Sequence, residues 1–224
     1  MVVVFGGIKG GTGKSTLAVN MAVWLNRDNV VLYDGDPQKT TTHFIQFRLE
    51  QEDYQPGKRL GFTYPLHKHL TLTQHVDQDP SFDYIVDVGG RDTTLQREAM
   101  TLADVLVVPM ALSGFDVWPL QELLELVEQA REYNPKLKLF LVANRCDYRG
   151  PNTAAYREVE QALDEMQLQF QGLVTDRVAY SKTTAQGYGL FDDNLPASLR
   201  DEKAKAELGR LFTDILATAT HEAT

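Results

Sequence analysis

Residues 2–25 read VVVFGGIKGGTGKSTLAVNMAVWL, and this stretch decides the fold class. It begins with a short β-branched run at 2–5, which is typical of a strand buried on both faces of a parallel sheet. Glycines follow at once, and apolar residues then recur at helical spacing, at Leu17, Met21 and Leu25. The stretch therefore predicts a strand, a glycine-rich loop and a helix in immediate succession.

The same alternation of apolar strands and amphipathic helices continues along the chain. Further strands are predicted at 30–33, 84–88, 105–110, 137–143 and 172–174, and helices over 14–26, 40–51, 95–103, 118–133, 153–168 and 201–217. The less regular stretch 52–80 is expected to hold one more strand and a short helix. This order favours right-handed crossovers and an α/β fold, with a mostly parallel twisted sheet flanked by helices. We expect a single domain spanning 1–224.

Composition and charge limit the classes of function. The chain has 22 basic and 31 acidic residues, a net charge of −9, so bulk charge does not draw it to nucleic acid or to an anionic membrane. The single cysteine, Cys146, excludes an intrachain disulfide and fits a reducing compartment. The start resembles no signal peptide, and no apolar run reaches the roughly 18 residues of a membrane span. We therefore expect a cytoplasmic protein.

The octapeptide KGGTGKST at 9–16 is the main chemical signal. Glycines let the backbone curl so that successive N–H groups point at phosphate oxygens, and the following helix aims its positive dipole end at the same place. Lys14 is predicted to reach the β- and γ-phosphates and Ser15 to ligate Mg²⁺. An ordinary glycine turn before a helix would not require this residue order. The predicted nucleotide-binding residues here are Gly10, Gly11, Thr12, Gly13, Lys14, Ser15 and Thr16.

The sequence from Ile8 to Ser15 departs from the general motif G-x-x-x-x-G-K-[ST] at one position. Ile8 stands in place of the first glycine, and a second lysine, Lys9, precedes Lys14 by five residues. This arrangement resembles the deviant phosphate loop, K-G-G-x-G-K-[ST], of the ParA/MinD family of ATPases, a P-loop NTPase family of the SIMIBI-like class. The resemblance implies ATP and Mg²⁺ as cofactors. It also implies that Lys9 crosses a dimer interface to the partner's nucleotide, whereas otherwise Lys9 would be a solvated loop charge.

Two further segments resemble motifs of the same family. VVLYDGDPQ at 30–38 is similar to its apolar strand ending in D-x-D-P-Q, which implies that Asp36 positions the attacking water and that Asp34 supports the loop and the waters of the magnesium ion. Alternatively, the two carboxylates only favour a turn. FDYIVD at 82–87 is similar to a Walker B strand, which implies that Asp87 holds Mg²⁺ through water. Glycines 89 and 90 follow where many members of the family have prolines.

The tetrapeptide NRCD at 144–147 ends a predicted strand where a nucleotide base would lie. It resembles the guanine-reading motif N-K-x-D of GTPases, with Arg in place of Lys. ParA-like ATPases have an asparagine or arginine at this strand end to hold adenine. Both interpretations make Asn144 a base contact, and the Lys9 signature favours ATP over GTP.

The carboxyl-terminal third of the chain indicates whether the protein binds a membrane, an iron–sulfur cluster or DNA. The final helix lacks the basic flanks of a membrane-targeting helix, and its apolar residues predict packing in the core, so no membrane contact is expected. Paired cysteines typical of iron–sulfur relatives are absent. The remaining ParA branch binds DNA non-specifically as an ATP-dependent homodimer, which requires a basic patch facing phosphates. The candidate DNA contacts are Arg177, Lys182, Arg200, Lys203 and Lys205. Each of these residues could equally be an isolated surface charge.

The resemblance as a whole implies a ParA-type ATPase that partitions or positions DNA or protein cargo. Such a protein hydrolyses ATP slowly, is stimulated by a ParB-like adaptor and associates with the nucleoid. Two alternatives belong to other classes. One is a GTP-dependent switch that binds protein, which the 144–147 tetrapeptide and the net charge favour. The other is a metabolic phosphate-loop enzyme, for which the sequence offers no acceptor-binding motif.

Overall fold

The computed structural model describes residues 1–50, 70–90, 93–112 and 118–221 of the chain. Its strands are β1 (Val2–Phe5), β2 (Val30–Gly35), β3 (Asp83–Val88), β4 (Val105–Ala111), β5 (Lys138–Cys146) and β6 (Gly172–Thr175). They form one six-stranded sheet in the order β2-β3-β1-β4-β5-β6, and each neighbouring pair runs parallel. The predicted fold class is confirmed.

Helices cover both faces of this sheet. They are α1 (Lys14–Leu25), α2 (Thr40–Glu50), α3 (Leu72–Gln78), α4 (Thr94–Leu102), α5 (Trp118–Arg131), α6 (Ala154–Glu165), α7 (Val178–Thr184) and α8 (Glu202–Thr220). Short 3₁₀ helices lie at Gly150–Asn152 and Ala197–Leu199. One hydrophobic cluster joins one face of the sheet to α1, α2, α7 and α8, and the other joins the opposite face to α3, α4, α5 and α6.

Alternation along the strands divides the core between these two layers. Val3 and Phe5 of β1 pack in the first cluster, and Val2 and Val4 pack in the second. Successive side chains of a strand point to opposite faces, and here both faces are covered. The apolar runs of the sequence are continuous for this reason, rather than alternating with polar residues.

Side-chain caps fix where several helices begin. The Thr93 hydroxyl accepts from the Gln96 N–H at the start of α4, and the Thr153 hydroxyl accepts from the Tyr156 N–H at the start of α6. The Asp201 carboxylate accepts from the Ala204 N–H at the start of α8. Such caps satisfy N–H groups that have no partner within the helix, and each contributes about 1 kcal/mol.

Two strands run further than the sequence predicts. β2 continues through Asp34 and Gly35, which pair in register with Asp87 and Val88 of β3. β5 continues to Cys146, which pairs with Thr175 of β6. The added residues lie at the carboxyl edge of the sheet, where Asp34 and Gly35 are partly exposed and Cys146 is buried.

Other elements test the remaining predictions. The four apolar residues expected to face inward from α8 are buried, namely Leu208, Leu211, Phe212 and Ile215. The short helix predicted within 52–80 is α3, whereas most of that stretch, including any strand in 52–69, lies outside the described residues. Helix α7 was not predicted, because seven residues are too few to establish a period. Among the described helices, none has the length and apolar content needed to cross a membrane.

Candidate functional site

The phosphate loop joins β1 to α1 at the carboxyl edge of the sheet. Gly13 caps α1 in the left-handed region, with φ of 97°, which residues with a side chain rarely adopt. Lys14 follows as the first residue of α1 and is 5% exposed. Its Nζ donates to the Lys9 carbonyl oxygen at 2.7 Å. The loop is therefore closed on itself, with the buried ammonium group at its centre.

A cleft of about 700 Å³ opens over this loop. It lies at the carboxyl ends of the strands, the edge at which parallel sheets bind ligands. The elements that line it come from five places along the chain: the phosphate loop, the loop after β2, the loop after β3, the end of β5 and the segment from β6 into α7. The polar and charged lining residues are Lys14, Ser15, Thr16, Asp36, Gln38, Thr40, Thr93, Asn144, Arg145, Thr175, Asp176, Arg177, Tyr180 and Ser181.

Asp87 is fully buried at the end of β3. Its Oδ2 accepts from the Thr41 hydroxyl at 2.7 Å, and the Ser15 hydroxyl donates to the same carboxyl group. Burial raises the pKa of Asp87 to about 7, although these two donors oppose the shift. Its Oδ1 has no hydrogen-bond partner among the described residues. A buried carboxylate with one free oxygen beside a serine hydroxyl has the oxygen donors that Mg²⁺ prefers.

The two aspartates after β2 have different surroundings. Asp34 accepts from the Thr42 N–H and hydroxyl with one oxygen, at 2.7 and 2.5 Å, and from the Asp36 N–H with the other, at 3.1 Å. Asp34 thereby fixes the start of α2, as expected of a residue that supports the loop. Asp36 lines the cleft, and its Oδ1 accepts from the Gln38 N–H at 2.9 Å. Of the two carboxylates, Asp36 is therefore the one available to a ligand.

The phosphate loop also contacts the loop that follows β3. A Cβ atom added at position 90 would lie 2.6 Å from both the Gly10 nitrogen and the Lys9 carbonyl carbon. This separation is too short for any side chain, so glycine is required there for the two backbones to approach. The Gly89–Gly90 pair thus brings the end of β3 directly against the phosphate loop.

The two lysines of the loop face different surroundings. Lys14 lines the cleft, and burial lowers the pKa of its ammonium group, while Asp87 and Asp36 oppose that shift. Lys9 instead lines a separate, smaller depression with Ile8, Met110 and Leu120. The predicted roles of the two lysines also differ. Lys14 is expected to bind the nucleotide of its own chain, and Lys9 is expected to act on a second subunit.

Asn144 and Asp147 are separated although they belong to one tetrapeptide. Asn144 is buried, and its Nδ2 donates to the Thr12 carbonyl oxygen at 2.6 Å. Arg145, with φ of 57°, donates to the Gly11 carbonyl oxygen at 3.0 Å. Asp147 is exposed, and its two oxygens accept from Arg149 at 2.9 and 3.2 Å. Asn144 therefore supports the phosphate loop, while the Asp147 carboxylate is held away by Arg149.

A residue of α8 that sequence reasoning missed holds the segment after β6. Glu207 accepts from the Thr175 N–H at 2.8 Å, from the Thr175 hydroxyl at 2.7 Å and from the Tyr180 hydroxyl at 2.6 Å. Burial and this bond raise the pKa of Tyr180. The Glu207 carboxylate also lies 3.8 Å from the Arg177 Nε. Both Thr175 and Arg177 line the cleft, so α8 fixes one of its walls.

The five predicted DNA contacts have different surroundings. Arg177 lines the cleft beside Glu207, whereas Lys182 is exposed on α7 and Lys203 is exposed on α8. Arg200 and Lys205 line a separate polar depression together with four carboxylates. Those carboxylates belong to Asp192, Asp193, Asp201 and Glu202. The basic groups near α8 therefore share their surface with acidic ones.

The chain is similar in sequence and in fold to known proteins. The maintenance of carboxysome distribution protein A of Halothiobacillus neapolitanus is 28% identical over 213 residues, which cover 93% of each chain. The ATP complex of a substituted McdA from Cyanothece has a TM-score of 0.69 at 19% identity, over 100% of this chain and 98% of that one. A plasmid partition protein of Borrelia burgdorferi bound to AMPPNP has a TM-score of 0.66 at 18% identity, over 97% of each chain.

The family assignment rests on a match that covers most of the chain. Residues 3–190 match the CobQ/CobB/MinD/ParA nucleotide binding domain. This range contains the phosphate loop, Asp36, Asp87 and Asn144, which the fold brings to one edge of the sheet. The chain therefore belongs to the CobQ/CobB/MinD/ParA family of nucleotide-binding domains.

Proposed function

We propose that this chain is a ParA-type ATPase that binds ATP with Mg²⁺ and hydrolyses it slowly to control the position of a cargo. The observation that carries the proposal is the cleft over the phosphate loop. There Lys14 and Asp36 face the same space, and Asp87 lies buried against Ser15. Phosphoryl transfer requires positioning and neutralisation of charge more than covalent chemistry, and these groups supply both.

Each of these residues has a role in the proposed reaction. Lys14 and the loop N–H groups bind the β- and γ-phosphates. Ser15 and, through water, Asp87 would hold Mg²⁺, which would neutralise phosphate charge. Asp36 orients the attacking water and accepts its proton, as a carboxylate at a strand end can do. Asp34 keeps the Asp36 loop and α2 in register through its bonds to Asp36 and Thr42.

The surroundings of the 144–147 tetrapeptide support ATP rather than GTP. Guanine reading by an N-K-x-D motif requires its aspartate to accept from the base. Here Asp147 is exposed and accepts from Arg149, while Asn144 supports Thr12. The ATP complex of the Cyanothece protein and the AMPPNP complex of the Borrelia protein support the same choice of nucleotide.

The proposal extends to a homodimer that closes around two nucleotides, with Lys9 reaching the partner's site. The separation of Lys9 from the cleft of its own chain supports this role. The similarity to a carboxysome distribution protein and to a plasmid partition protein supports cargo positioning as the purpose. Non-specific DNA binding by the dimer, with Arg177, Lys182, Arg200, Lys203 and Lys205 as candidate contacts, and release by a ParB-like adaptor complete the proposal.

The test measures dimerisation, phosphate release and binding to a DNA duplex of unrelated sequence, each with ATP, ADP and GTP. The variant is Lys9→Ala, and the matched control is Lys136→Ala, which removes an exposed charge just before β5 at the opposite edge of the sheet. We expect dimers and salt-sensitive DNA binding with ATP only. Lys9→Ala should lose both, and the control should keep both. Dimers that form with ATP and yet bind no DNA at low salt would contradict nucleoid positioning.

A second candidate is a nucleotide-dependent switch that binds a protein rather than DNA. The observation in its favour is the mixture of Arg200 and Lys205 with four carboxylates, in a chain of net charge −9. Such a surface attracts DNA phosphates weakly. ATP-dependent dimers without DNA binding would support this candidate, and a strong preference for GTP would support the GTP-dependent form of it.

A further inference from the structure

Gln96 lies in the first turn of α4, with its side chain fully buried between two loops. Its amide faces the carbonyl oxygens of Gly7, in the phosphate loop, and of Gly89, in the loop after β3. With its nitrogen toward them, it donates to Gly7 at 3.0 Å and to Gly89 at 3.2 Å. The opposite orientation would point the amide oxygen at these two acceptors, so the hydrogen-bond network assigns the nitrogen to this position.

This pair of bonds is one of two contacts between the same loops. Gly90 lies against the backbone of Lys9 and Gly10, too close for any side chain at that position. Gln96 joins the same two loops at Gly7 and Gly89. The phosphate loop and the loop after β3 are therefore held together at two separate points, one by backbone packing and one by an amide group.

We propose that Gln96 is a positioning residue that fixes the Gly89–Gly90 loop relative to the phosphate loop, and thereby tunes recognition of the γ-phosphate. This proposal rests on the proposed function, because the γ-phosphate would lie where the two loops meet. Removal of a buried amide that donates to two carbonyl oxygens is destabilising, because each carbonyl oxygen then loses its hydrogen-bond partner and no water replaces it. At this second point of contact, both loops depend on one side chain of α4.

The alternative role for Gln96 is general support of the fold. In that case its loss would loosen the whole core equally. The two roles predict different results. They differ in which backbone amides exchange faster and in whether binding of the γ-phosphate is weakened more than binding of the rest of the nucleotide. A residue that fixes only the relative position of the two loops should affect ATP more than ADP, because ADP lacks the terminal phosphate, which in the proposed function would lie in the cleft that both loops line.

The test uses the full chain with Gln96→Met, which keeps the length of the side chain and removes its donors. Gln96→Asn, which keeps the amide but withdraws it by one methylene, is the second variant in case the first does not fold. Thr94→Ala, an exposed position in the same turn, is the control. Two quantities are measured: backbone amide exchange without nucleotide, and the ratio of the affinities for ATPγS and ADP.

We expect exchange to rise at least about fivefold in peptides that cover 5–13 and 85–90, with little change in β5, because the opening is local. The affinity ratio should fall about five- to tenfold, the equivalent of one hydrogen bond. A uniform rise in exchange, or unchanged exchange at both loops, would overturn the proposal, and so would an unchanged affinity ratio. If the unaltered chain bound no nucleotide, the proposed function would fail, whereas the exchange measurement would still decide whether Gln96 joins the loops.

Discussion

The two ends of the cleft are built from different kinds of group. At the phosphate end, formed by residues 10–16 and Asp36 with Asp87 against Ser15, the charged groups of Lys14 and Asp87 are buried. At the end expected to receive the base, here called the base end and formed by residues 144–145 and 174–181, Arg177 is partly buried beside Glu207, whereas the ion pair nearest the phosphate loop is exposed. Arg145 and Asp176 lie 3.9 Å apart, with side chains 58% and 67% exposed.

This difference indicates where the binding energy should lie. Exposed ion pairs contribute between about 0 and 1 kcal/mol, whereas buried charges interact strongly with whatever neutralises them. The phosphate end should therefore provide most of the affinity. The base end should act through the shape of its wall, which Glu207 holds, rather than through its ion pairs. Tripolyphosphate, which lacks the base and the sugar, separates the two ends experimentally.

The largest effect should follow from Lys14→Ala. The loss of a buried ammonium group that binds two phosphates should weaken both ATP and tripolyphosphate at least about 100-fold, as the loss of charge-assisted bonds predicts. Isothermal titration measures both constants, with Lys136→Ala as the control for charge. A loss confined to ATP would place the main source of affinity at the base end and reverse the comparison.

Asp87→Asn should raise the free energy of unfolding while it weakens the binding of Mg²⁺. Since burial raises the pKa of Asp87 from 3.8 to about 7, the folded chain binds more protons than the unfolded chain between these values, and its stability falls as the pH rises through that range. The amide carries no charge, and it still accepts from Thr41. In EDTA at pH 8 the variant should therefore be about 1–2 kcal/mol more stable than the unaltered chain, with a smaller gain at pH 5.

The same variant should lose most of the effect of Mg²⁺ on ATP binding, a loss of roughly tenfold in affinity, because a neutral amide is a weaker partner for the cation. Thermal unfolding at the two pH values and titrations with and without Mg²⁺ check both parts. A variant that is less stable at pH 8 would show that the Asp87 carboxylate is stabilised rather than strained by its surroundings.

Glu207→Gln should affect the base end alone. The amide nitrogen of glutamine has to face one of the donors on Thr175 or Tyr180, and the loss of one or two bonds to a charged group amounts to about 1–2 kcal/mol. ATP should bind about fivefold more weakly, and tripolyphosphate should bind unchanged. Glu202→Gln, an exposed change in the first turn of α8, serves as the control. Equal weakening of both ligands would mean that the two ends are not independent.

Asp147→Ala should have the smallest effect. Its carboxylate accepts from Arg149 on the surface, so the preference for ATP over GTP should change less than about twofold, within the range of an exposed ion pair. Competition between the two nucleotides measures the preference. A large shift between ATP and GTP would restore the guanine-reading interpretation of the tetrapeptide.

The sequence predicted the phosphate end better than the base end, and the reason is distance along the chain. Residues 9–16 are contiguous, so their order alone specifies a loop that curls around phosphate. Asp36 and Asp87 could be added because parallel strands end at one edge of the sheet. Their partners could not, since the Thr41 hydroxyl reaches a carboxylate 46 residues away and the Gln96 amide reaches the Gly7 carbonyl from a helix beyond β3.

The base end depends on contacts between residues far apart in the sequence, which local sequence patterns do not predict. Glu207 of α8 accepts from Thr175, 32 residues earlier in the chain, and also from Tyr180 of α7, an element that the sequence did not predict. Arg177 is one of the predicted DNA contacts, and it lines the cleft, where Glu207 lies against its segment. A basic residue in an isolated sequence carries no information about which carboxylate will face it.

The bond between Lys14 and the Lys9 carbonyl has a consequence for the speed of association. The ammonium group is already dehydrated by the fold and already has an acceptor within its own loop. The ammonium group has three N–H donors, so an arriving phosphate oxygen can accept from one of them while the bond that closes the loop persists, and the loop does not have to be rebuilt before capture. Encounter of ATP with the cleft should then be limited by diffusion and by access, and the lifetime of the complex by how firmly the phosphates are held.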